Sequence, residues 1–82
     1  MKNFHIETIC IDGREPYIKV YFEDVVDKDV ICTWLNLQGF IKKANVNEDE
    51  YCKVHAIVYL LPDSNVKEVE GRLTTVLERF EA

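Results

Sequence analysis

Four stretches of the sequence show the alternation of apolar and polar side chains that is typical of β-strands. Residues 4–11 are rich in β-forming side chains, and residues 17–23 alternate without interruption. Residues 40–47 alternate except at Lys42, and residues 51–61 are the most apolar of the four stretches. We therefore predict four strands, with the last of them at a central position in a sheet.

Two further stretches carry apolar residues at helical spacing. The first covers residues 28–38, with Asp27 as a suitable N-cap and Gly39 as a suitable residue just beyond the C-terminus. We interpret Trp34 in this helix as a core anchor. The apolar stripe of the helix consists of Val30, Ile31, Trp34 and Leu35.

The second helix begins after Asn65, which together with Glu68 resembles a capping box. Gly71 lies inside this helix, where glycine costs about 1 kcal/mol relative to alanine. We expect Gly71 to mark a place where the helix packs closely on the sheet. The stripe that faces the core consists of Val66, Val69, Leu73, Val76, Leu77 and Phe80.

The resulting order is β-β-α-β-β-α, and it predicts an α+β fold. Two amphipathic helices and a half-apolar antiparallel sheet form a two-layer sandwich if both helices cover one face. Right-handed crossovers and a central fourth strand give the strand order first, second, fourth, third. This is the ferredoxin-like split βαβ arrangement with its last strand moved to the front, a likeness of element order alone.

Length and composition limit the possible classes of protein. The 82 residues predict a single domain over residues 1–82, with only three glycines and two prolines and therefore no linker. The longest apolar run covers six residues, 56–61, whereas a membrane span needs about 20. Because the first residues also lack the apolar core of a signal peptide, we predict a cytoplasmic protein with no membrane contact.

The three cysteines, Cys10, Cys32 and Cys52, are widely spaced and form no Cys-x-x-Cys pair. This spacing gives no support to a zinc site or a redox dithiol, so we predict neither metal nor cofactor. We expect three reduced thiols that pack as small apolar side chains.

The strand phases place an unusual set of side chains on the sheet face opposite the helices. All four tyrosines, both histidines and three lysines fall there, whereas the acids concentrate in turns and helices. The net charge of −5 therefore does not describe this face. The predicted members of the face are His5, Glu7, Ile9, Ile11, Tyr17, Lys19, Tyr21, Glu23, Ile41, Lys43, Asn45, Tyr51, Lys53, His55, Ile57 and Tyr59.

Tyrosine and isoleucine on an open sheet supply apolar area with polar tips, which is the composition that interfaces favour. We therefore predict a non-enzymatic protein-interaction or regulatory domain that forms a homodimer through this face or through an edge strand. The residues expected to carry the interaction are Tyr17, Lys19, Tyr21, Tyr51, Lys53, His55, Ile57 and Tyr59.

Two other hypotheses remain open. Aromatic rings interleaved with lysines also suit single-stranded nucleic acid, although the net charge of −5 opposes such binding. A small enzyme would use His5 or His55, but the predicted strand order puts another strand between them, and no cysteine shares a strand face with either. We accordingly predict no catalytic residues.

Overall fold

The structure is a computed structural model of the chain, and it describes residues 1–80. The predicted element order is confirmed. The elements are β1 (Phe4–Ile9), β2 (Tyr17–Phe22), α1 (Lys28–Asn36), β3 (Ile41–Glu48), β4 (Val54–Leu60) and α2 (Val66–Arg79).

The four strands form one antiparallel sheet in the order β1-β2-β4-β3, as predicted. Alternate residues of the two central strands point to the helix side, where Ile18, Val20 and Val58 have no exposed surface. The helices cover this face with Leu35 of α1 and Leu73 of α2, which are equally buried. One hydrophobic core therefore joins the sheet to both helices and completes the α+β sandwich.

The predicted N-caps of both helices are confirmed. The Asp27 carboxylate accepts hydrogen bonds from the backbone N–H of Asp29 at 2.9 Å and of Val30 at 3.1 Å. The Asn65 side chain accepts from the N–H of Glu68 at 3.1 Å. Each cap satisfies backbone donors that the first turn of a helix leaves without a partner.

The end of α1 differs from the prediction. Leu37 is the C-cap in right-handed helical conformation, and Gly39 has no positive φ, so glycine is not required there. The side-chain amide of Asn36 instead binds the backbone of Ala44, donating to its carbonyl at 3.0 Å and accepting from its N–H at 2.9 Å. These two bonds tie α1 to the outer edge of β3 and occupy edge groups that another strand would need.

A bulge in β3 overturns the predicted position of Ile41. Ile41 pairs with Leu60 and Lys43 pairs with Tyr59, so Lys42 is an extra residue in this strand. An extra residue breaks the alternation, so residues before the bulge point to the opposite face from the one that simple alternation with the residues after it would give. Ile41 is consequently 5% exposed in the core, not on the open face, and Phe40 precedes the strand.

β4 begins at Val54, three residues later than the alternation predicts. Tyr51 and Cys52 lie in the turn before the strand, and Cys52 has a φ of 62°. The Asp49 carboxylate holds this turn by accepting from the N–H of Tyr51 at 2.8 Å and of Lys53 at 2.9 Å. A side chain that binds successive backbone donors stabilises a turn where apolar residues alone would favour a strand.

The prediction that the cysteines pack as apolar side chains is wrong for two of them. Cys10 lies beyond the end of β1 and Cys52 in a turn, and both are exposed. Cys32 on α1 is half-buried against the core. Cys10 and Cys52 are exposed because β1 ends at Ile9 and β4 begins only at Val54, so neither cysteine lies in a strand.

Candidate functional site

The open face of the sheet consists of three rows of side chains in register across the four strands. The first row is His5–Tyr21–His55–Asn47, the second is Glu7–Lys19–Ile57–Asn45, and the third is Ile9–Tyr17–Tyr59–Lys43. Directly opposed side chains in an antiparallel sheet share a face and touch. The strands of the sheet thus bring together most of the residues that the alternation assigned to this face.

Aromatic rings and cations pack against one another within these rows and between neighbouring rows. Tyr17 and Tyr59 form a tilted ring pair with centroids 6.4 Å apart, and Lys43 Nζ lies 5.3 Å from the Tyr59 centroid. His5 and Tyr21 stack at 6.1 Å, with Lys19 Nζ 5.9 Å from the Tyr21 centroid. Cation–π contacts of this kind position charges over the rings and keep part of the face polar.

Several predicted members lie away from the three rows. Tyr51 stands in the turn with 77% of its surface exposed, and Ile41 is in the core. Ile11 follows the end of β1. Glu23 and Lys53 border one end of the face, where they line a groove of about 290 Å³ with Tyr21, Asp49 and His55.

The opposite end of the open face has a larger groove of about 510 Å³. Arg14 and Lys42 line it together with Tyr17 and Tyr59. Arg14 comes from the loop between β1 and β2, and Lys42 is the extra residue of the β3 bulge. Alternation within strands could not place either cation here.

An apolar groove on α1 is a second exposed surface. Val30, Trp34 and Leu37 line it at spacings of four and three residues, together with Phe80, in a volume of about 400 Å³. Val30 is 51% exposed and Leu37 is 72% exposed. The prediction that Val30 belongs to the apolar stripe facing the core is therefore wrong. Trp34 is half-buried, and its indole N–H donates to the carbonyl of Val76 at 3.3 Å.

The histidines do not form a catalytic pair. His5 and His55 stand on either side of Tyr21 in one row, so the strands that carry them are about 10 Å apart. Within residues 1–80 no three histidine, cysteine or carboxylate side chains are grouped so that they could hold a metal ion. No helix in this part of the chain is long and apolar enough to cross a membrane.

The pKa of Asp24 clearly departs from its ordinary value. The Asn3 side-chain amide donates to Asp24 Oδ1 at 2.9 Å, and the Asn3 backbone N–H donates to Oδ2 at 3.1 Å. These hydrogen bonds favour the carboxylate and lower its pKa. They also hold the residues that precede β1 against the end of β2.

Comparison of the chain with protein families, with curated proteins and with solved structures finds no match.

Proposed function

We propose that this protein is a protein-interaction domain that self-associates, and that two copies meet through the open face of the sheet. The observation that carries the proposal is the set of three registered rows, which present tyrosine, isoleucine and histidine side chains on one surface. Aromatic residues with polar tips are enriched where protein surfaces meet.

The distribution of charge on this face supports a second copy as the partner. Glu7 lies on β1 at one edge of the sheet, and Lys43 lies on β3 at the other. A two-fold axis parallel to the strands sets β1 of each copy against β3 of the other. Glu7 then lies opposite Asn45 and diagonally across from Lys43, which is two residues, or about 7 Å, further along β3 and within reach of its long side chain. The same axis sets Tyr17 opposite Tyr59 and aligns the two sheets within the usual range of about 30°.

The β3 edge of the sheet is less suitable for association. The outward-facing backbone groups of Ala44 in β3 are occupied by Asn36, and Lys42 and Lys43 are exposed on the same strand. Charged side chains and covered backbone groups oppose strand addition. The open face is therefore the better surface for a homodimer than the β3 edge.

The small size of the face favours a weak association. Six-residue strands at about 3.4 Å per residue and four strands at about 4.8 Å spacing give a face roughly 20 Å on each side. Two such faces bury less than the standard interface of about 1,600 Å². We therefore expect a reversible dimer with a dissociation constant in the micromolar range.

Analytical ultracentrifugation with charge-swap variants tests the proposal. Glu7→Lys and Lys43→Glu should each weaken the dimer by about tenfold, because each places like charges together across the interface. The double variant restores opposite charges and should return the dissociation constant to near the wild-type value. Circular dichroism checks that all three variants remain folded.

Leu37→Glu on α1 is the matched control outside the open face. It should leave the dimer unchanged. Loss of the dimer in Leu37→Glu, with no effect of the charge swaps, would transfer the interface to the apolar groove of α1. A monomer at high micromolar concentration would rule out self-association.

Single-stranded nucleic acid is a second candidate, favoured by the groove beside Tyr17 and Tyr59. Arg14 and Lys42 add two cations, against the single carboxylate of Glu15, next to rings on which bases could stack. A fluorescent single-stranded oligonucleotide should then bind at low salt and be released as salt rises. Arg14→Gln with Lys42→Gln should reduce the salt dependence, and absence of binding at low salt would reject this candidate.

A further inference from the structure

A groove of about 590 Å³ lies between α2 and the loop that joins α1 to β3. Its volume is within the range of about 300–1,000 Å³ that is typical of small-molecule sites. The groove is on the helix side of the sheet, so it is separate from the open face and from the proposed dimer.

Gly71 forms part of this groove and has no role in the fold that requires glycine. It is exposed, it has no positive φ, and a Cβ built on it would meet no atom within 4 Å. The expectation that α2 packs closely on the sheet at Gly71 is therefore wrong. Glycine at this helical position still costs about 1 kcal/mol of stability relative to alanine. Because Gly71 has no side chain, the groove stays open at this residue.

The charge of the groove is opposite to that of the chain. The chain has a net charge of −5 and three arginines, and two of these, Arg72 and Arg79, line the groove. Within residues 1–80 no carboxylate lines it. Arg72, Thr75 and Arg79 are spaced three and four residues apart, which places them along one side of α2.

The two arginines are placed to hold an anion between them. Seven residues of helix separate their Cα atoms by about 10 Å along the axis, a distance that two long side chains can close. The Arg72 guanidinium lies 5.0 Å from the centroid of the Phe40 ring, which steadies it at the wall of the groove. The Thr75 hydroxyl donates to the carbonyl of Gly71 at 3.1 Å, so recognition of charge falls to the arginines.

From this geometry we propose that the groove binds a small molecule that carries phosphate, with the phosphate held between Arg72 and Arg79. Guanidinium groups match phosphate oxygens with paired hydrogen bonds, which a single point charge cannot do. Gly71 leaves room for the remainder of the molecule, which lies along α2 towards Gly39.

Titration with pyrophosphate, followed by backbone amide NMR, tests this site. Shifts should concentrate on residues 71–79 and on the loop at 38–40, with a dissociation constant on the order of 1 mM or tighter. Arg72→Gln with Arg79→Gln should weaken binding at least about tenfold, as the loss of charge-assisted bonds implies. Arg14→Gln removes the remaining arginine, which is outside this groove, and should change nothing.

Gly71→Leu tests the free space of the groove while it leaves the charges of Arg72 and Arg79 unchanged. The variant should fold, because its Cβ enters open space and leucine favours a helix, yet its side chain should fill the room for the remainder of the molecule and so weaken the binding of a larger phosphate compound, adenosine monophosphate. Wild-type affinity for adenosine monophosphate in Gly71→Leu would overturn the proposal. So would equal shifts from sodium chloride at matched ionic strength, or binding of succinate as tight as that of pyrophosphate.

Discussion

The two faces of β4 are made by one alternating sequence, yet they differ in what determines them. Val54, Ala56, Val58 and Leu60 point into the core and are at most 7% exposed. His55, Ile57 and Tyr59 between them are half-buried on the open face, where they touch side chains of β2 and β3. The residues of the core face must be apolar for the chain to fold. Burial does not constrain the residues of the open face in this way, so they can be suited to binding.

The largest expected effect comes from placing aspartate on each face at adjacent residues. Val58→Asp buries an unpaired carboxylate at a position with no exposed surface and should cost about 4 kcal/mol or more. A chain of this length has a total stability of about 4–12 kcal/mol, so the variant should be largely unfolded. Urea denaturation followed by circular dichroism measures the loss.

Tyr59→Asp is the partner variant on the open face. It should lose only about 1 kcal/mol of stability, from strand propensity and the contact with Tyr17, and remain folded. Its self-association by ultracentrifugation should be weakened, since a charge replaces a ring at the proposed interface. Equal loss of stability in Val58→Asp and Tyr59→Asp would contradict the difference between the two faces.

Single-residue deletions in β3 test how firmly the faces are specified. Deletion of Lys42 removes the bulge and leaves Ile41 and Ala44 on the core side by ordinary alternation, so it should cost no more than about 1 kcal/mol. Deletion of Asn45 turns Ile41 and Ala44 towards the open face and should cost about 3 kcal/mol in lost burial. Urea midpoints of the two deletions should therefore differ clearly, and similar midpoints would mean that the bulge can move.

Gly71→Ala tests whether α2 makes a close contact at Gly71 on the helix side of the molecule. It should raise the stability by about 1 kcal/mol, because alanine favours a helix and its Cβ meets no neighbour within 4 Å. Thermal unfolding checks this result. A lower melting temperature would indicate a close contact between α2 and its surroundings at this residue.

The element order, the strand order and the N-caps of both helices could be predicted from the sequence. The strand order followed from the alternation and from the apolar character of β4, and the caps Asp27 and Asn65 followed from their side chains. The position of Ile41 could not be predicted, because a bulge is decided by pairing with β4. The position of Tyr51 in a turn could not be predicted from its own strand propensity, because a hydrogen bond to the Asp49 carboxylate holds it there.

The grooves were beyond prediction for a related reason. The groove of α2 is lined by residues 38–40 and 71–79, which are far apart in the chain and belong to no common pattern. The signal that could have found it is Gly71, a helical glycine with arginines one and eight residues later. Its meaning depended on the finding that no part of the fold packs against it.

The smallest expected effect concerns Asp24, which holds the start of β1, a strand that contributes to both faces. Hydrogen bonds from Asn3 lower the Asp24 pKa below its ordinary value of 3.8 in the folded protein. A lowered folded pKa gives stability that is present above pH 3.8 and is lost as the pH falls through the folded value. Asp24→Asn should therefore be slightly less stable than the wild type at neutral pH, and the two should converge well below pH 3.8, as measured by urea midpoints across this range. A difference that stays constant with pH would assign the effect to the shape of the side chain and not to its charge.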